Sequence, residues 1–312
     1  MVKARVRPIL PFALFIAILS VSTASIFIRL AQSDAPSLVI AALRLTFAGL
    51  ALAPVALTRH RVELSTLTRH ELLLGLLSGF FLAIHFATWI TSLEYTTVAS
   101  SVVFVSTGPL WVALLSPFFL LEALSRRILL GMGLALVGGI LIGLSDSCSW
   151  NNGLACPSLA QVLHGRMLFG NFLALVGAWM VAGYLIIGRK LRVKMSLVPY
   201  IFLVYGMAAI CLLILAGIAR ENLAGYPWLT YIWILILALV PQLIGHSTYN
   251  WALAYLPAAF VAVTTLGEPI GSSILAYFIL SETPSLAVIA GGVLILLGIY
   301  LALRGNQDDA ET

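Results

Sequence analysis

Residues 258–282, AAFVAVTTLGEPIGSSILAYFILSE, are apolar enough to cross a lipid bilayer, yet they contain a charged residue near the middle. Glu268 stands there between Gly267 and Pro269. A charge at the bilayer centre costs several kcal/mol and usually marks a substrate or ion pathway. Proline removes a backbone hydrogen bond, and irregular backbone at membrane depth is tolerated only against protein or a water-filled cavity. We therefore expect this segment to line a cavity in which Glu268 binds a cationic group or exchanges a proton.

Arg44 is a second charged residue within an apolar run, roughly 10 Å from the start of that run at the α-helical rise. Its guanidinium group offers a bidentate fork for a substrate carboxylate. Structural interpretations compete with both roles. Arg44 could instead pair with Glu268 or Glu94, and Glu268 could pair with an arginine or cap an interrupted helix.

Seven further polar or aromatic side chains inside apolar runs are candidates for contact with a substrate: His85, Trp89, Trp179, Tyr184, His246, Tyr249 and Asn250. His85 and Trp89 are four residues apart and share a helical face, and His246 has the same relation to Asn250. The aromatic rings would offer stacking or cation–π contacts to a substrate. A hydrogen bond between helices explains each histidine equally well.

The composition identifies the environment of these residues. The chain has 312 residues, of which 61% are hydrophobic and only 9% are charged, and its mean hydropathy is +1.07. Soluble domains contain about 25% charged residues, so a soluble globular protein is excluded. The net charge of +5 comes from short basic clusters between apolar runs, which is typical of charges that orient a membrane protein. No nucleic-acid-binding motif accompanies them, so we expect no nucleic acid partner.

Ten apolar segments have the roughly 20 residues that a transmembrane helix needs. They are 9–31, 37–57, 70–93, 97–121, 127–145, 167–188, 196–218, 228–252, 257–280 and 284–303. With both termini in the cytoplasm, only Arg166 and Arg220 among the Lys and Arg residues outside the spans fall on the outer side. We therefore predict an integral protein of the bacterial plasma (inner) membrane with cytoplasmic termini.

The longest connection, residues 146–166, would lie outside the cytoplasm and contains Cys148 and Cys156. In an oxidising compartment these cysteines could form a disulfide, or both could be free thiols. Their spacing lacks the further ligands of a zinc site. We expect neither a metal nor a cofactor.

The second half of the chain repeats the first at a shift of 160 residues, so that residues 89–143 align without gaps on 249–303. The informative matches are polar or helix-breaking: Tyr95 with Tyr255, Pro109 with Pro269, Glu122 with Glu282, Gly131 with Gly291, and Gly138 with Gly298. Each repeat holds five spans, and because five is odd the second repeat must cross the membrane in the opposite sense. We predict a first repeat at 1–145, an extracytoplasmic loop at 146–166, a second repeat at 167–303 and a cytoplasmic tail at 304–312.

Inverted repeats are characteristic of secondary transporters, whose binding sites lie near the membrane midplane at interrupted helices. Gly108-Pro109 and Glu268-Pro269 are such a pair at equivalent positions of the two repeats. We predict that Gly108, Pro109, Gly267 and Pro269 interrupt their helices and take part in gating.

The ordered set of motifs resembles the drug/metabolite transporter superfamily, specifically its ten-helix EamA-type members. The motifs are a mid-span proline, then Leu120-Leu121-Glu122 with Gly131 and Gly138, repeated as Leu280-Ser281-Glu282 with Gly291 and Gly298. Pro36 with Arg44 eight residues later is similar to the start of the family's second span. The resemblance implies an all-α polytopic membrane fold of two inverted five-helix repeats around a central cavity. It also implies transport of small metabolites by alternating access.

The candidate site combines one acid, one arginine inside a span and several aromatic surfaces, and this combination suits the binding of amino acids or related zwitterions. The direction of transport, export, is expected from the family resemblance alone. We expect a small-molecule substrate, protons as a coupling ion and membrane lipid as partners. The alternative is a polytopic membrane enzyme or a flippase acting on a lipid-linked substrate. Clustered acids, a metal-ligand motif and a nucleophile with its base are all missing from the sequence, so we expect a transporter rather than an enzyme.

Overall fold

The computed structural model describes residues 9–96, 101, 104–122, 125–147, 166–280 and 286–308, and it contains helices and no strand within them. In chain order the helices are α1 (Ile9–Ser22), α2 (Ala24–Gln32), α3 (Ser37–Arg59), α4 (Arg61–Ser65), α5 (Arg69–Tyr95), α6 (Gly108–Phe119), α7 (Arg126–Ser147), α8 (Arg166–Arg192), α9 (Leu197–Ile218), α10 (Trp228–Leu237), the π-helix π1 (Ala238–His246), α11 (Ser247–Ala252), α12 (Ala258–Thr265), α13 (Glu268–Leu280) and α14 (Leu286–Asp308). Helical residues occur in each of the ten segments predicted to span the membrane.

Six helices among the described residues are long and apolar enough to cross a membrane. They are Ile9–Gln32, Ser37–Arg59, Arg69–Tyr95, Leu168–Arg192, Leu197–Ile218 and Trp228–Ala252. Two shorter apolar helices, Gly108–Phe119 and Ile289–Ala302, accompany them. Since a membrane-spanning chain must satisfy its backbone hydrogen bonds internally, continuous helices are the expected outcome of this composition. The predicted all-α polytopic membrane fold is confirmed.

Two helices are interrupted at equivalent positions of the repeat. Leu266 and Gly267 form a turn between α12 and α13, and Ser106 and Thr107 form the turn that precedes α6. At the shift of 160 residues the first residue of α6, Gly108, corresponds to Glu268, the first residue of α13. Each new helix has proline at its second position, where the missing N–H is not needed but the preceding turn cannot continue regularly.

The helices pack into two compact units, and each unit draws helices from both sequence repeats. Unit 1 comprises Met1–Ala87 and Gly183–Pro257, and unit 2 comprises Thr88–Ala182 and Ala258–Thr312. In unit 1, α3 packs along α9, α1 packs against π1, and α2 packs against α10. Because α3 and α9 start at equivalent positions of the two repeats, the main packing of this unit joins one repeat to the other.

The span predicted at 228–252 contains a π-helix that was not predicted from the sequence. Pro241 lies inside π1 and has no N–H to donate to the turn before it. Helices often respond to such an interruption with wider turns, and π-helical segments are frequent at functional sites. The carbonyl oxygen of Gln242 accepts a hydrogen bond from Ser247 Oγ at 3.3 Å and a long one from the Tyr205 hydroxyl at 3.4 Å. Side chains therefore support the irregular backbone of this segment, as burial in a membrane protein requires.

Unit 2 is organised around the close packing of α7 against α14. A Cβ atom built on Gly131 would lie 2.4 Å from the carbonyl oxygen of Gly298, and one on Gly138 would lie 2.4 Å from that of Gly291. The later residue of α7, Gly138, thus meets the earlier residue of α14, Gly291, so the two helices are antiparallel. Because they are equivalent helices of the two repeats, this contact confirms that the repeats are inverted. The glycines that match between the repeats thus join two helices of the same unit.

We expect Gly131→Ala to destabilise the protein by roughly 1–3 kcal/mol, because the added methyl group would overlap backbone that cannot yield easily. Gly133→Ala is the matched control on the same helix, where no described atom apart from the neighbouring backbone of α7 itself lies within 4 Å of the added carbon. Alanine favours helix over glycine, so the control should keep or slightly raise stability. Thermal unfolding of the two variants in detergent measures the difference, and equal unfolding temperatures would contradict the proposed contact.

Candidate functional site

The structure distributes the predicted site residues over the two compact units. Unit 1 contains Arg44, His85, Tyr184, His246, Tyr249 and Asn250. Unit 2 contains Trp89, Gly108, Pro109, Trp179, Gly267, Glu268 and Pro269. Cys148 and Cys156 lie outside the described residues, so their pairing stays a prediction. Of the described residues, no group of three or more His, Cys, Asp or Glu side chains is placed to hold a metal ion.

Unit 1 contains a cluster of polar and aromatic side chains with Arg44 at its centre, called the polar cluster below. Its other members are His85, Phe86, Tyr184, Tyr205, Gln242, His246, Ser247, Tyr249 and Asn250. The side chain of Arg44 is fully buried, although it lies within a helix that is apolar enough to cross a membrane. Nε donates a hydrogen bond to Oε1 of Gln242 at 3.1 Å. The guanidinium carbon lies 4.3 Å from the ring centroid of Phe86, which is a cation–π contact. An amide and an aromatic face thus replace part of the hydration that this charge would have in water.

Both candidate histidines contact the same ring. The imidazole centroid of His85 lies 5.0 Å from that of Phe86, and the imidazole of His246 meets Phe86 edge-on at 5.4 Å. His246 also meets the ring of Tyr249 edge-on, at a centroid distance of 6.5 Å. His85 and His246, which were predicted on two different spans, thus both contact Phe86, the ring that also contacts Arg44.

Asn250 joins the helices on the other side of the cluster. Its Nδ2 donates to the hydroxyl of Tyr184 at 2.5 Å and to the carbonyl oxygen of His246 at 2.9 Å, and it lies 3.4 Å from the hydroxyl of Tyr205. The Tyr205 hydroxyl is also 3.1 Å from Ser247 Oγ. All of these side chains except that of His246 are buried. The network connects α8, α9 and α11 and brings the predicted pair Tyr184 and Asn250 into direct contact.

Nε2 of Gln242 and Oδ1 of Asn250 are buried polar atoms of this cluster that have no hydrogen-bond partner among the described residues. Buried polar groups are nearly always hydrogen-bonded, because an unsatisfied donor or acceptor costs about 1–3 kcal/mol. One atom is a donor and the other is an acceptor. The cluster can therefore both donate to and accept from a bound molecule or water.

Most of the candidates in unit 2 lie at or beside the two interrupted helices, and Trp89 is a buried residue of α5. Glu268 is the partly buried first residue of α13, where a carboxylate interacts favourably with the helix dipole. Before α6, the hydroxyl of Thr107 accepts a hydrogen bond from Nε1 of Trp111 at 3.3 Å. Trp111 meets Trp179 edge-on at a centroid distance of 5.6 Å. The interruption in the first repeat thus adjoins an aromatic pair, whereas the interruption in the second repeat carries an acid.

Four residues of the cluster were not predicted from the sequence: Phe86, Tyr205, Gln242 and Ser247. Gln242 could have been found, because it precedes His246 by one turn and follows a proline inside an apolar span. Phe86 and Tyr205 gave no such signal, since aromatic residues are common in apolar helices. The Ser247 hydroxyl donates a hydrogen bond to the carbonyl oxygen of Gln242 within the π-helix, and a π-helix cannot be recognised from the sequence.

Known proteins resemble this chain over nearly its whole length. The sequence model of the EamA-like transporter family matches it twice, at residues 9–144 and 168–304. An "Uncharacterized transporter" of Archaeoglobus fulgidus is 24% identical over 292 residues, which cover 94% of this chain and 95% of the relative. A second "Uncharacterized transporter" of the same organism is 24% identical over 213 residues, covering 67% of this chain and 68% of the relative.

A solved crystal structure superposes with a TM-score of 0.75 at 19% sequence identity, covering 95% of this chain and 97% of that chain. At this identity the similarity establishes the fold alone. The double match of one family model agrees with the internal repeat found in the sequence. Because the two matches together span nearly all of the chain, the protein belongs to the EamA-like transporter family.

Proposed function

We propose that this EamA-like transporter is a secondary transporter that exports small metabolites, such as amino acids or related zwitterions, by alternating access. The observation that carries the proposal is the fully buried Arg44 within an apolar helix, with Gln242 and Phe86 as its neighbours. Charged residues inside membrane spans are expensive and generally belong to substrate or ion pathways. A cation that aromatic and amide groups hold in place suits the recognition of an anionic group on a small solute.

The inverted repeats supply the framework for alternating access. Inverted-repeat transporters bind their substrates at interrupted helices and move one bundle against another. Here the turns before Gly108 and Glu268 would be the weak points of that motion, with Gly267 and Pro269 beside the second. Glu268 would exchange a proton and so couple transport to a proton gradient. The acid occurs at one interruption only, and this asymmetry supports a coupling role rather than a purely structural one.

The direction of transport and the membrane are part of the same proposal. Export follows from the family resemblance, and the distribution of Lys and Arg residues supports a bacterial plasma membrane with both termini in the cytoplasm.

A counterflow screen in proteoliposomes tests this function. Purified full-length protein is reconstituted, loaded with one unlabelled solute and supplied with the labelled form outside, with and without an imposed pH gradient. The panel contains L-amino acids, amines and nucleosides. We expect accumulation of at least one amino acid above the level in protein-free liposomes, and a rate that depends on the gradient. If no solute moves while lipid is scrambled or modified, a flippase or a membrane enzyme explains the protein better.

A further inference from the structure

We propose that Gln242 and Arg44 together form a binding subsite for the carboxylate of the transported molecule, with Gln242 as the residue that sets this specificity. The inference rests on the proposed function and narrows its substrate class to solutes that bear a carboxylate. From the sequence, Arg44 alone is a candidate for such a role. The structure adds a neutral amide as the second half of the subsite.

The orientation of the Gln242 amide is the first step of the inference. Oε1 accepts the hydrogen bond from Nε of Arg44 at 3.1 Å, which identifies the other end of the amide as its NH2 group. That Nε2 atom is buried and has no hydrogen-bond partner in the part of the chain that the structure describes. A second N–H donor therefore lies in the same buried cluster as the guanidinium group, on a side chain that Arg44 itself orients.

The chemistry of these donors selects the ligand. A carboxylate has two oxygens that accept several hydrogen bonds, and it is the natural partner of an arginine fork. The guanidinium carbon of Arg44 lies over the ring of Phe86, and the N–H bonds of a guanidinium group point in its own plane. A carboxylate bound here would carry a charge opposite to that of the guanidinium group and would accept a hydrogen bond from Nε2 of Gln242. An amine has a like charge and a carboxamide has no charge, so neither offers both interactions.

The backbone that positions Gln242 also suits a binding role. The residue lies in the π-helix π1, a type of segment that is frequent at functional sites. Its carbonyl oxygen accepts a hydrogen bond from Ser247 Oγ at 3.3 Å and lies 3.4 Å from the Tyr205 hydroxyl. These contacts fix the main chain of Gln242, so that the amide is held in place before a substrate binds.

The variant Gln242→Glu tests the subsite directly. Glutamate is nearly isosteric and keeps an acceptor for Arg44, but it replaces the donor Nε2 with a second carboxylate oxygen. The probes are L-leucine and L-phenylalanine, each paired with its carboxamide, which lacks the carboxylate. We expect the wild-type protein to prefer each acid over its amide by roughly tenfold or more in counterflow. In the variant, the counterflow rate of the two acids should fall roughly tenfold or more, whereas the rate of the two amides should stay the same or increase.

Asn171→Asp is the matched control, because it makes the same amide-to-acid change at a buried position in unit 2, where Asn171 accepts a hydrogen bond from Thr96. It should leave the preference for acid over amide unchanged. Gln242→Met provides a second variant that introduces no charge, and it should reduce the preference toward parity. Stabilisation of the detergent-solubilised full-length proteins by the same four probes gives a readout that does not depend on transport.

The outcomes separate this inference from the proposed function. If the wild-type protein moves the probes but both Gln242 variants keep its preference, the subsite is wrong and the transport proposal stands. A wild-type preference for the amides would overturn the subsite as well. If the wild-type protein neither moves nor is stabilised by any amino acid or amide, both the transport of zwitterions and the carboxylate subsite are wrong. A loss of acid preference in both variants, with the control unchanged, supports the inference.

Discussion

Replacement of Arg44 by lysine is expected to reduce the transport of amino acids roughly 10- to 150-fold, while the protein remains folded. Hydrogen bonds to a charged group contribute about 1.5–3 kcal/mol, and each 1.4 kcal/mol corresponds to a factor of about ten. Lysine keeps the positive charge but loses the planar guanidinium fork. If the planar arrangement of the arginine N–H donors recognises the substrate, the positive charge of lysine alone will not maintain binding.

The physical reason lies in the surroundings of Arg44. The side chain is fully buried, its Nε donates a hydrogen bond to Gln242, and its guanidinium carbon lies 4.3 Å from the ring centroid of Phe86. A shorter ammonium group cannot occupy both positions at once, so either the amide or the ring loses its partner. Initial rates of counterflow measure the effect on transport, and the thermal unfolding temperature in detergent measures the effect on stability.

Arg29→Lys is the matched control for this prediction. Arg29 lies in the last turn of α2 and is exposed, so the same substitution there should leave both transport and stability nearly unchanged. Wild-type transport by Arg44→Lys would show that only the charge matters. A loss of folding without a separate loss of transport per folded molecule would assign Arg44 a structural role.

Replacement of Glu268 by glutamine is expected to abolish the dependence of transport on a pH gradient, or transport of cationic solutes, while leaving folding intact. Glutamine has nearly the same shape but cannot take up or release a proton near neutral pH. Glu268 is partly buried and stands in the first turn of α13, so the loss of its charge removes a favourable interaction with the helix dipole of about 0.3–1 kcal/mol. Counterflow and gradient-driven uptake in the same proteoliposomes separate substrate binding from coupling.

The control for this second prediction is Glu94→Gln. Glu94 lies near the end of α5 and is exposed, so neutralising it should not change the response to the gradient. If Glu268→Gln transports at the wild-type rate with the wild-type dependence on the gradient, Glu268 serves only to stabilise the start of its helix. In that case proton coupling, if present, must be assigned to another residue.

Much of the fold could be predicted because the membrane constrains the chain so strongly. An apolar run in a bilayer has few options other than a helix, and helical residues occur in each of the ten predicted segments. Six helices among the described residues are long and apolar enough to span a membrane. The repeat and its inversion followed from matches such as Gly131 with Gly291 and from an odd number of spans. Antiparallel packing of Gly131 against Gly298 then confirmed the inversion. The π-helix was not predictable, since Pro241 signals an irregularity without specifying its form.

The candidate site could be predicted only as a set of residue types. Arg44, His85, His246 and Asn250 stood out because polar groups are costly in apolar helices. The grouping of Arg44, His85 and His246 around Phe86, and the inclusion of Gln242, depended on which faces of α3, α5 and π1 meet. The sequence left open a substrate carboxylate, Glu268 or Glu94 as the partner of Arg44, and none of these alternatives indicated the amide of Gln242.

The sequence by itself determined the environment, the helical segments, the inverted repeat and the positions at which two helices are interrupted. These features follow from the length of apolar runs and from local backbone chemistry, which depend on neighbours in the chain. The tertiary structure alone decided that Arg44 lies on Gln242 and Phe86, and that Asn250 bonds to Tyr184. Such contacts join residues far apart in sequence, and they depend on helix rotation and packing, which an apolar pattern without a distinct polar face leaves unspecified.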